Sequence, residues 1–201
     1  DCLQQASTLY QAELHTLNDG SSLMLFHSQD DEQNYLTHAL CCGELMRALG
    51  HALQIEVADS GITLQLQLGL TQGEGLYDLS QGDLLLSEPA QAALAMSQHS
   101  RNLLLVERGI GEDNLIRQRA RIRPIASPEG ACCVERLLEP YPSLLERQLA
   151  RMHELRVERL LHEESQHKAR VIVITSGKGG VGKTNVAANL GICLAAAGQR
   201  V

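Results

Sequence analysis

The sequence has no tryptophan and one phenylalanine, Phe26; aromatic residues make up 2% of its 201 residues. Aliphatic side chains must therefore fill the core, and stacking platforms for unpaired bases are disfavoured. It also lacks an excess of positive charge. Seventeen Lys and Arg stand against 24 Asp and Glu, a formal net charge of −7, which argues against a broad nucleic-acid footprint but leaves room for a local basic patch. No apolar run reaches the length of a membrane span. The opening "DCLQQASTLY" has neither the basic n-region nor the apolar h-region of a signal peptide. No C-x-x-C pair occurs: the six cysteines are Cys2, Cys41, Cys42, Cys132, Cys133 and Cys193. Two adjacent pairs and two singles give weak support for zinc, and the expectation is reduced, mostly buried thiols in a cytoplasmic protein. The first residue is Asp rather than Met, so the expectation is a piece of something longer, with membrane association left open.

What is present begins with 44% hydrophobic residues, enough for one medium domain or two small ones. Composition divides the chain at about residues 142 and 170. In the first region, residues 21–28 read as a buried strand. Residues 33–53 read as a helix, with Leu36, Leu40, Leu45, Leu49 and Leu53 near helical spacing. Residues 62–70, "ITLQLQLGL", alternate like a half-buried strand. "DLLLSE", residues 83–88, reads as another short strand. "PAQAALAMS", residues 89–97, reads as a helix with proline in its first turn. "ARIRPIAS" and "ACCVERLL" read as a hairpin closed by "SPEG", residues 127–130. Strands and helices alternate, so the predicted class is α/β (α+β), with an antiparallel tendency toward the end of this region. Residues 143–170 carry one apolar stripe, Leu145, Leu149, Met152 and Leu155, among charged residues: an amphipathic helix. It serves as a linker packed on one neighbour, a short coiled-coil seam or a membrane-surface helix.

The chemistry concentrates at the end. "ARVIVITS" reads as a buried parallel strand, and "NVAANLGICLAAAG" as a helix ending at a glycine. Between them runs Gly177-Lys178-Gly179-Gly180-Val181-Gly182-Lys183-Thr184, a G-x-x-x-x-G-K-[ST] loop in strand–loop–helix context. Glycines let the backbone wrap with its N–H groups inward, and the helix N-terminus adds unpaired donors and a positive dipole end. The result is a cradle for polyphosphate. Lys183 can reach the β- and γ-phosphates of ATP, and the Thr184 hydroxyl can ligate Mg²⁺.

With lysine at its second position, "KGGVGKT" resembles the deviant Walker A motif of the MinD/ParA ATPases. The stretch through Asn185, "KTN", is most similar to the flagellar-number regulators of that family (FlhG/FleN type). The resemblance covers about residues 170–201. It implies that Lys178 reaches the phosphates of a partner subunit, and that ATP joins two subunits which hydrolysis separates. Lys178 and Lys183 would then be the catalytic residues, and Gly177 through Asn185 the nucleotide-binding ones. The implied partners are ATP, a second copy through the nucleotide site, and a protein of the flagellar or division machinery; no nucleic acid is expected. Later strands should supply the family's switch and Walker B-like aspartates, so the 201 residues alone are expected to bind ATP weakly, if at all, and not to hydrolyse it.

The region ahead resembles, more loosely and over about residues 12–149, a class III nucleotidyl cyclase domain of the TlpA-like type. "LQLGLTQGEG", "LSQGDLLLSEPAQAAL" and "ERLLEPYPSLLERQL" carry the resemblance, with "NDGSSLMLF" placing Asp19 near the family's metal-binding position. There are departures. No "F-x-D-hydrophobic-x-G-F" stretch supplies a second aspartate, Asp19 is one residue out of register with Phe26, and the segment between Glu74 and Gly82 is short. The expectation is a degenerate, non-catalytic sensory or dimerisation domain over residues 1–142, a linker helix over 143–170 and a truncated P-loop start over 171–201; an unrelated α/β domain is the other reading of the first region. The alternative function is a non-catalytic signalling module with an incomplete nucleotide site. Two weaker features are His38 near Cys41 and Cys42, read as a solvent or core histidine rather than a ligand, and the basic run "RQRARIR", residues 117–123, read as a charged strand edge rather than a phosphate or lipid contact.

Overall fold

The computed structural model describes residues 2–27 and 34–166. The fold is mixed α/β. A short helix α1 (Cys2–Leu9) leads into a two-stranded antiparallel hairpin, β1 (Glu13–Thr16) and β2 (Ser22–Leu25), followed by a long helix α2 (Asn34–Glu56). Then come β3 (Leu68–Leu70), α3 (Gln81–Leu86), α4 (Glu88–Ser97) and β4 (Leu104–Glu107). Two short helices, α5 (Arg108–Gly111) and α6 (Asn114–Arg119), precede the strands β5 (Ala120–Pro124) and β6 (Ala131–Leu137), and α7 (Tyr141–Gln166) follows. The first compact unit is Asp1–Val157 and takes in the first part of α7; the described residues of the second, 158–166, are helical.

The larger sheet has the order β3-β4-β6-β5, with β3 and β4 parallel and the other pairs antiparallel. Strand periodicity sorts its side chains into two layers. Leu104 and Val106 of β4, with Cys132 and Val134 of β6, join Leu40, Cys42 and Leu45 of α2 in the main core. Leu105 and Cys133 point the other way and pack with Met96 of α4. The sheet is thus sandwiched between α2 and α4. Glycines allow the close approach on each side. A Cβ on Gly43 of α2 would lie 2.7 Å from Leu104 Cδ2, and one on Gly69 of β3 would lie 2.4 Å from the Ala93 carbonyl oxygen of α4.

Several expectations hold. The leucine spacing of α2 produces a helix, with Leu36, Leu40, Leu45 and Leu49 buried. Proline and the Ser87 cap open α4, the Ser87 hydroxyl accepting the Ala90 N–H. The β5–β6 hairpin forms, with a bulge at Arg121/Ile122. In α7, Leu145, Leu149 and Met152 all pack into the main core.

Three expectations need correction. Residues 83–88 are not a strand: α3 occupies Gln81–Leu86, because the Ser80 hydroxyl accepts the Asp83 N–H and donates to the Asp83 carboxylate, a reciprocal N-cap. Only Leu84 of its three leucines is buried, and Leu86 is 78% exposed. The strand read over 62–70 shrinks to Leu68–Leu70. Ahead of it, side chains rather than a neighbouring strand hold the extended chain, with Leu66 N–H bonded to Asn102 and Leu68 N–H to Ser100. The buried strand read over 21–28 is a short half-buried one, Ser22–Leu25, because among the described residues its hairpin is a sheet of two strands.

Candidate functional site

Gly177, Lys178, Gly179, Gly180, Val181, Gly182, Lys183, Thr184 and Asn185 lie outside the described residues, as do the strand and helix read on either side of the loop and Cys193.

Asp19 sits in the turn between β1 and β2 and is fully exposed. Its Oδ1 accepts the Ser21 N–H at 2.8 Å, and that bond to the backbone holds the carboxyl below its ordinary range. Its carboxylate is engaged in closing the hairpin. His38 lies edge-on to Tyr10, ring centroids 6.0 Å apart. The neighbouring Cys41 and Cys42 thiols are buried and free, and burial pushes both up to about 12. For Cys41 the Arg119 charge acts against that rise and Glu44 with it; for Cys42, Cys41 adds to it. Such thiols are poor nucleophiles and poor ligands at neutral pH. Cys132 and Cys133 are also free and buried, and burial raises both. Among the described residues, no group of three or more His, Cys, Asp or Glu side chains could hold a metal ion.

The basic run 117–123 straddles the end of α6 and the edge strand β5. Arg123 Nε meets Glu135 Oε1 at 3.0 Å on the adjacent strand. Arg119 turns inward instead: its guanidinium donates to the Thr37 hydroxyl and lies 5.8 Å from the Tyr141 ring centroid. The run is therefore a charged sheet edge with one arginine committed to joining α2, α6 and α7.

Two constellations escape reading along the sequence. On the hairpin, Glu13 Oε1 lies 3.5 Å from His27 Nε2 and Glu13 Oε2 3.7 Å from His15 Nε2; the latter nitrogen is buried without a hydrogen bond among the described residues. The His27 ring also meets the Tyr77 ring, 5.7 Å between centroids. His27 is brought to Glu13 by the hairpin register, which no local spacing announces. The second is Glu44, 4% exposed, whose carboxylate accepts three hydrogen bonds from Arg47 one turn on. Here the i, i+3 spacing was available as a signal, but its burial was not.

Comparison with known proteins addresses the end of the chain. Residues 172–201 match the family described as the CobQ/CobB/MinD/ParA nucleotide binding domain. A putative septum site-determining protein MinD of Nephroselmis olivacea is 67% identical over 39 residues, 19% of this chain and 14% of that protein. The antiactivator FleN of Pseudomonas aeruginosa is 60% identical over 37 residues, 18% of this chain and 13% of FleN. The septum site-determining protein MinD of Thermotoga maritima is 68% identical over 31 residues, covering 15% and 11%. The chain thus spans about one seventh or less of the length of these relatives. No solved structure matches. At its C-terminal end, this chain is similar to the nucleotide-binding domain of the MinD/ParA-type ATPases.

Proposed function

We propose that this chain belongs to a nucleotide-dependent switch, in which a MinD/ParA-like P-loop ATPase begins at about residue 171, behind a separate α/β domain. The observation that carries the reading is the family match over 172–201, which contains the whole phosphate loop. The donor set suits ATP with Mg²⁺. In this reading the loop from Gly177 to Gly182 would supply backbone N–H groups, Lys183 a cation for the β- and γ-phosphates, Thr184 a hydroxyl for the metal, and Asn185 a further nucleotide-binding position. Bound Mg²⁺ would neutralise charge on the phosphates. Lys178 is assigned to the phosphates of a second copy, so that ATP closes a dimer and hydrolysis reopens it. Both lysines are the catalytic residues of this reading. The relatives named as septum site-determining proteins and as an antiactivator support a reading in which the switch regulates flagellar number or cellular positioning.

The test separates the two lysines in the whole gene product that carries this sequence. Lys178→Ala should leave ATP binding by the monomer intact and abolish ATP-dependent dimerisation in sedimentation velocity. Lys183→Ala should lose both, together with phosphate release. Unchanged ATPase activity in both variants sinks the assignment.

The N-terminal domain is proposed to be a degenerate cyclase-like module that senses or dimerises without catalysis. What supports it is the order of elements: a hairpin with Asp19 at its turn, a long helix, then β3, α4, β4 and a closing hairpin. Adenylate or guanylate cyclase activity of the purified chain with Mg²⁺ or Mn²⁺ would contradict it.

A further inference from the structure

We infer that the groove between α1 and α7 is a docking surface for an acidic amphipathic helix of a partner protein. α1 is fixed beside α7 by the Tyr10 hydroxyl, which donates to Gln148 Oε1 at 2.5 Å. Between the two helices lies a cavity of about 490 Å³. Its apolar lining is Leu9, Met152 and Leu155. Met152 is buried, whereas Leu9 is 47% and Leu155 36% exposed. The leucine positions that give α7 its stripe therefore end in an apolar surface open to solvent, as an amphipathic helix laid into a groove requires.

Charge selects the partner. The groove carries Arg147 and Arg151 and, among the described residues, is lined by no aspartate or glutamate, on a chain whose net charge is −7. Arg151 shares an exposed ion pair with Glu154 beside the groove, 3.1 Å; Arg147 has no ion pair among the described residues. A locally positive rim on an acidic protein attracts a ligand with carboxylates flanking its apolar stripe. It gives less to a basic helix, which the rest of the surface would draw elsewhere. In a two-fold contact through this groove a second copy would set the same two arginines against these, so a foreign acidic helix fits better.

The experiment uses the full 201-residue chain and a fluorescein-labelled helical peptide of about 16 residues with leucines at i, i+3, i+4 and i+7 and flanking glutamates. Its twin has lysines in place of the glutamates. Fluorescence anisotropy should give saturable binding of the acidic peptide and at least about tenfold weaker binding of the basic one. Arg147→Glu combined with Arg151→Glu should weaken the acidic peptide by at least about tenfold, and Leu155→Ser should weaken both peptides. All three positions are at the surface, and an unchanged circular dichroism melt verifies the fold. Equal binding of the two peptides, binding that survives the groove variants, or no binding at millimolar peptide overturns the inference. So does a concentration-dependent dimer of the chain that Leu155→Ser dissolves, which would give the groove to a second copy.

Discussion

Asn102 and Leu66 hold each other reciprocally: the Leu66 N–H donates to Asn102 Oδ1 at 2.6 Å, and the Asn102 N–H donates to the Leu66 carbonyl at 2.8 Å. Asn102 does this from a left-handed backbone, φ 66°, which asparagine and aspartate tolerate better than other side chains. The pair locks the extended chain before β3 onto the turn before β4, two segments that no regular ladder joins. Asn102→Ala removes the acceptor and adds left-handed strain, and should cost about 2 kcal/mol. Asn102→Asp keeps an acceptor and the tolerance, and should cost under about half of that. Urea denaturation of the three proteins checks the order; equal stability of the alanine variant and the parent would show that the pair is not what holds this segment.

Gly69 marks where β3 and α4 touch backbone to backbone. An alanine there would put its Cβ 2.4 Å from the Ala93 oxygen and 3.0 Å from the Ser97 nitrogen. Neither is a flexible side-chain end, so α4 must move, and the cost should be about 1–3 kcal/mol. Gly109, in α5, has nothing within 4 Å of such a Cβ and no positive φ, so Gly109→Ala should be neutral or slightly stabilising. Thermal melts of the two variants should separate by several degrees, with Gly69→Ala the lower; coincident melts would contradict the close packing.

Stability should fall at alkaline pH. Burial raises the Cys41 and Cys42 thiols from an ordinary value of 9.0 to about 12, and raises the Tyr10 phenol as well. Above pH 9 the unfolded chain releases these protons while the folded chain keeps them. The stabilisation is therefore complete below pH 9 and lost as pH climbs toward 12, at up to about 1.4 kcal/mol per pH unit for each thiol. Replacing Cys42 by Ala should flatten the slope by about that amount for one thiol. Denaturation curves at pH 8, 9.5 and 11 measure it; a profile that is flat across that span in the parent rules the mechanism out.

What could be read from sequence was the chemistry that is local. The leucine spacing of α2, the proline that opens α4 and the "SPEG" turn of the β5–β6 hairpin each settle their own element, and each forms. The phosphate-loop motif, Gly177 to Thr184, could be read because its glycines, lysine and threonine are contiguous; it lies outside the described residues, within the stretch that the family match covers. The trileucine before Ser87 misled because apolarity suggested a strand, while the Ser80–Asp83 cap decided for a helix. β4, Leu104–Glu107, passed unnoticed because Leu104, Leu105 and Val106 are all buried and leave no alternation to see. The meeting of Glu13 with His27 and of α1 with α7 depends on register and packing between distant segments, which no spacing in the chain encodes.

The account rests on Lys183. Calorimetric titration of Mg²⁺-ATP into the whole gene product that carries this sequence, beside its Lys183→Ala variant, tests it most directly. The account predicts saturable binding with one nucleotide per chain, weakened by at least about a hundredfold in the variant. No binding by the parent, or equal binding by both, would mean that the loop from Gly177 to Thr184 holds no nucleotide phosphate and that the function rests with the domain in front of it.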